Sequence, residues 1–117
     1  MQEGDVRTAI DLLNTARALA EGSVFSDVDR AEIVFGLGVA RYKLASTSTA
    51  VALLDEALSL AQSSDLPCDG LRSDIYHWRS RCHRRQRDFE AAREDVEHAL
   101  ELAQGVDDRR KMADAYF

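Results

Sequence analysis

The chain has 117 residues, one proline and six glycines, and 45% apolar residues, which suits one small all-helical core. It contains no run of about 18 apolar residues, which excludes a helical membrane span, and its acidic, polar opening MQEGDVRTAI does not read as a secretory signal. Its formal net charge of −6 makes it a poor general nucleic-acid binder, because phosphate contacts need a broad positive surface.

Residues 1–22 read as the second helix of a hairpin whose first helix is missing. Ala9, Leu13 and Ala16 recur at steps of four and three, one face of a helix. Asp5 is the expected N-cap and Gly22 the expected stop. Residues 26–63 read as a complete hairpin. Ser26 and Asp27 open its first helix, with Asp27 and Asp29 at the positive end of the dipole. Ile33, Val34, Leu37, Ala40 and Leu44 carry the helical period. Gly38 interrupts them at a cost of about 1 kcal/mol relative to alanine, which suggests the close approach of another helix. Ser46-Thr47-Ser48-Thr49 breaks the pattern, and its hydroxyls are expected to cap the next helix. That helix carries Ala50, Leu54 and Ala57, a small–large–small stripe suited to a tight antiparallel hairpin.

A connector with Pro67 leads into a second complete hairpin over residues 69–104. Ser80 stands in the place of Gly38 and Arg79 in the place of Leu37. Asp88-Phe89 marks the turn, and Ala92, Val96 and Ala99 restore the stripe. Residues 107–117, with Ala113, Tyr116 and Phe117, read as the start of a further hairpin.

The sequence Val34-x-x-Leu37-Gly38-x-x-Arg41, followed by Ala50-x-x-x-Leu54-x-x-Ala57, resembles a tetratricopeptide repeat. Val34 and Arg41 depart from the aromatic preference of that family, and Gln62 stands where a proline often ends the repeat. Ala9, Ala50 and Ala92 are 41 and 42 residues apart, so the repeat is longer than the common form of about 34. The resemblance implies an all-α solenoid of about six helices, stacked as antiparallel hairpins and truncated at both ends. It implies no enzyme activity and no cofactor, and a protein or peptide partner held in a concave groove lined by the first helix of each hairpin. Repeats of this length resemble those of bacterial transcription regulators and signalling scaffolds, so the alternative reading is the sensor segment of a larger regulator. Bare apolar faces at both ends lead to an expectation of self-association.

By the same resemblance, Phe35, Val39, Tyr42 and Lys43 from one first helix face the groove, with His77, Trp78, Arg81, Arg84 and Arg85 from the next. The charge supports attention to the second group: residues 1–66 carry −5, residues 67–87 carry +4 and residues 88–117 carry −5. Trp78, Arg81 and Arg85 share a helix face. An aromatic plate flanked by guanidinium groups suits an acidic peptide with an apolar anchor. Two plainer readings compete: a solvated basic face, and a Trp78 turned into the core with Ile75 and Cys82, which would send Arg79 out to water.

Nothing points to catalysis or a metal. There is no phosphate loop, nucleophile elbow or His-Glu-x-x-His. His77, His83 and His98 are spread over two helices, and Cys68 and Cys82 fit no zinc spacing. The two thiols are expected to stay reduced in a cytoplasmic protein. Asp55/Glu56 and Glu94/Asp95 read as exposed acidic pairs that serve solubility.

Overall fold

A computed structural model describes residues 3–21 and 26–114, with side chains for 4–19 and 26–107. Among these residues the chain forms five helices and no strand: α1 (Glu3–Glu21), α2 (Asp27–Lys43), α3 (Thr47–Ser63), α4 (Asp69–Arg85) and α5 (Phe89–Asp114). Each packs on its neighbours in chain order, and α2 also touches α4, which sets the two first helices side by side. This is the expected all-helical stack. The helix count falls one short because α5 runs unbroken through Gly105. One glycine costs about 1 kcal/mol in a helix, too little to end it without a proline or a left-handed cap behind it. Asp5 lies inside α1 and caps nothing, because that helix starts earlier. Gly22, Tyr116 and Phe117 fall outside the described residues.

Helix starts and stops follow from local chemistry. The Ser26 hydroxyl accepts the Asp29 amide at 3.2 Å while the Asp29 carboxylate accepts the Ser26 amide at 3.4 Å, a reciprocal capping box. Ser46, in contrast, makes no side-chain cap; its part in the turn is played by its backbone. The Ser46 amide donates to the Arg41 carbonyl at 2.9 Å and the Ala45 amide to the Tyr42 carbonyl at 3.0 Å. Ala45 takes a left-handed conformation, φ 63°. This is a Schellman stop. It recurs at the next hairpin, 42 residues on, where the Asp88 amide reaches His83, the Arg87 amide reaches Arg84, and Arg87 has φ 66°. Asp88 then caps α5 through its carboxylate to the Ala91 amide. The two hairpins therefore turn by the same device in the same register.

The main core joins α2, α3, α4 and α5 through residues such as Val34, Leu54, Ile75, Cys82 and Ala99. Ala50, Leu54 and Ala57 are fully buried, as their spacing requires. A Cβ at Gly38 would stand 2.9 Å from Leu54 Cγ and Cδ2, so that glycine is where α2 and α3 meet most closely. Ser80 holds the matching place on α4, buried, with its hydroxyl donating to the His77 carbonyl of its own helix. Burial also pushes the Cys82 thiol above its ordinary pKa, an effect that Arg85 and Arg81 oppose.

The α1 stripe is rotated from its expected register, and the α5 stripe departs from it at one position. On α1 the buried residues are Val6 and Ile10, which join Leu37 and Ala40 in a second cluster, while Ala9, Leu13 and Ala16 are only half-buried. On α5 Ala92 and Ala99 are buried as expected, but Val96 is 41% exposed and Asp95 lies inward at 3%.

Candidate functional site

The last turns of α2 and α4 lie next to each other and bring five of the nine candidate residues into one cluster. Tyr42 and Trp78 meet edge to face with ring centroids 5.6 Å apart. The Arg81 guanidinium stacks on both rings, 4.6 Å from Trp78 and 5.4 Å from Tyr42. Arg85 lies 3.7 Å over Tyr42, and its Nη1 donates to the Tyr42 carbonyl at 2.7 Å. Lys43 Nζ is 6.0 Å over Trp78. The result is an alternation of cation and ring, with each guanidinium within 5.4 Å of an aromatic face.

The remaining candidates stand around this cluster. His77 is exposed and meets the edge of Trp78 at 6.1 Å. Arg84 is exposed beside Arg85 and touches neither ring. Val39 and Phe35 are half-buried about one and two turns earlier on α2, and Phe35 packs on the main core. Trp78 divides the choice between core and groove. It is half-buried, packs against the core and still offers its ring to Arg81 and Lys43.

Charge pairing separates this cluster from Arg17, Arg30, Arg72 and Arg79, while Arg41, Arg87 and Arg93 likewise form no ion pair among the described residues. Arg17 pairs with Glu56 at 2.8 Å, Arg30 with Asp27, Arg72 with Asp69, and Arg79 with Asp55 and Asp95. Lys43, Arg81, Arg84 and Arg85 form an ion pair with no carboxylate among the described residues. Lys43, Arg84 and Arg85 do answer the negative end of their helix dipoles. The dipole gives no reason for Arg81 to be held between two rings a turn earlier.

Behind the cluster lies a polar network that the sequence pattern did not disclose. Arg79 donates to both oxygens of Asp95, Nε to Oδ2 at 2.9 Å and Nη2 to Oδ1 at 2.8 Å, and Nη1 donates to Asp55 at 2.9 Å. His83 Nε2 lies 3.5 Å from the same Asp95, with its Nδ1 buried and unpartnered. The Asp95 hydrogen bonds hold the Arg79 pKa above its ordinary value. Arg79 thus stays at the helix junction and does not move out to water. Asp55, Glu56 and Asp95 are pairing groups, not solubilising ones. The available signal was the offset of 42: Arg79 and Asp95 occupy the positions of Leu37 and Leu53, two residues of one apolar cluster in the previous hairpin.

Among the described residues no group of three His, Cys, Asp or Glu side chains could hold a metal ion, and no helix is long and apolar enough to cross a membrane. No protein-family model matches the chain, and no curated protein is significantly similar to it.

Proposed function

We propose that this chain is a non-catalytic, tetratricopeptide-like interaction module of the cytoplasm that holds an acidic peptide or helix against α2 and α4. The repeat reading is supported by the identical turns 42 residues apart and by the matched close-approach positions Gly38 and Ser80. The observation that carries the binding reading is the set of three cations without carboxylate partners, Lys43, Arg81 and Arg85, gathered around two rings with Arg84 beside them, in a chain of net charge −6. An acidic protein neutralises scattered cations internally at little cost. A stacked guanidinium keeps its edge N–H groups in plane, which is the geometry a carboxylate accepts. The ring edges supply apolar contact for a flanking side chain.

Trp78 is the sole tryptophan, so its fluorescence reports on this groove alone. Titration with a glutamate-rich helical peptide carrying one aromatic residue should change that emission with a Kd in the micromolar range, about −8 kcal/mol or weaker. Arg81→Glu should weaken binding by at least about tenfold, as expected for a charge reversal at a close contact, with an unchanged melting temperature. Equal binding by wild type and variant, or no response from Trp78, would contradict the proposal.

A further inference from the structure

The outward face of α5 carries the chemistry that this groove lacks. Phe89, Val96 and Leu100 are 59%, 41% and 64% exposed and stand at steps of seven and four, so they form one apolar stripe. Glu90, Glu94, Glu97 and Glu101 run beside it at steps of four, three and four, all exposed. None of these glutamates forms an ion pair among the described residues. Arg93 is the exposed cation on that face within residues 89–107. α5 packs only on α4, so the stripe meets no other described helix.

We infer that a second copy of this chain docks the outward face of its α5 into the groove between α2 and α4. The inference rests on the reading of that groove as an acid-binding site, and it names the partner. The surfaces match in two respects. Each is half apolar and half charged, with Tyr42 and Trp78 beside cations on one and the Phe89–Leu100 stripe beside carboxylates on the other. The charges also match in spacing, because Arg81 and Arg85 are one helical turn apart, as are Glu97 and Glu101. An amphipathic helix laid in a groove is a common recognition mode. The two surfaces differ, so the contact is heterologous and extends into chains or closes into a ring. Unscreened charge drives it, so salt weakens it.

Light scattering on the eluting protein tests this, from micromolar to millimolar chain, at low salt and again in about 0.5 M salt. The mass should rise above 13.0 kDa with concentration and fall back at high salt. Lys43→Glu with Arg81→Glu in one variant, and Glu97→Lys with Glu101→Lys in another, should each weaken self-association at least about tenfold. Mixing the two variants should restore a one-to-one complex, a rescue that misfolded variants cannot give. A wild-type mass fixed at 13.0 kDa, variants that associate like wild type, or a mixture that fails to combine overturns the inference. If the wild type stays at one mass while Trp78 still responds to the acidic peptide, self-docking falls and the acid-binding groove stands. If Trp78 is silent as well, both fall.

Discussion

The most consequential single positions are Arg79 and Asp95. Where the preceding hairpin places Leu37 and Leu53 in one apolar cluster, this one uses an arginine against a carboxylate that is 3% exposed. Two charges there are tolerated because the contact is bidentate and Asp55 takes a third N–H. Removing one partner leaves the other buried with an unmet charge. Asp95→Ala should therefore cost about 3 kcal/mol in urea or guanidinium unfolding. Replacing both by leucine, the pair found one repeat earlier, should fall within about 1 kcal/mol of wild type or exceed it. A loss under about 1 kcal/mol for Asp95→Ala would show that the network contributes little. The sign of the pH effect follows from the raised Arg79 pKa: the folded chain holds that proton more tightly, so this contribution is full below the ordinary arginine range and is lost only above it.

At the scale of the element, the hairpin turns are the weak point in otherwise well-matched helices. A left-handed C′ residue usually is glycine, because a Cβ there crowds the following carbonyl. Ala45 and Arg87 both carry side chains at φ above 60°. Ala45→Gly and Arg87→Gly should each raise stability by about 0.5–1 kcal/mol in chemical denaturation, where relief of strain exceeds the added entropy of the unfolded chain. The gains should add, since the turns belong to separate hairpins. Gly38 calls for the opposite choice. Its helix interior would favour alanine by about 1 kcal/mol, yet the 2.9 Å approach of Leu54 leaves no room for the Cβ.

In the molecule as a whole, stability is graded along the stack. α3 is packed on both sides, by α2 and α4, whereas α1 packs mainly on α2 and leaves Leu12 and Leu19 68% and 67% exposed. Its anchors are the small Val6–Ile10 cluster and the Arg17–Glu56 ion pair, which reaches across to α3. Opening α1 exposes little apolar surface, so it costs little. Native-state hydrogen exchange should show α1 amides exchanging well before those of α3, through a partial opening that leaves α2–α5 folded. Equal protection in both helices would mean that α1 opens only with the whole chain.

The all-helical stack was legible from period. Alternation of Ala50, Leu54 and Ala57 with a glycine opposite leaves few ways to pack, and the first turn, near Ser46, followed from where the period broke. The aromatic–cation cluster was legible in part as types and spacing, because Trp78, Arg81 and Arg85 must share a face on any helix. What packing decided was rotation. Neighbouring positions on a helix differ by about 100°, so a stripe can turn by one residue without changing its period. α1 and α5 are each held mainly from one side, and there the inward positions became Val6 and Ile10 in one, and Asp95 in place of Val96 between Ala92 and Ala99 in the other. Whether a charge is buried, and whether a cation keeps a partner, depends on which residue of another helix arrives opposite it. That is a property of the tertiary structure, and it is what left Arg79 paired and Arg81 without a carboxylate partner.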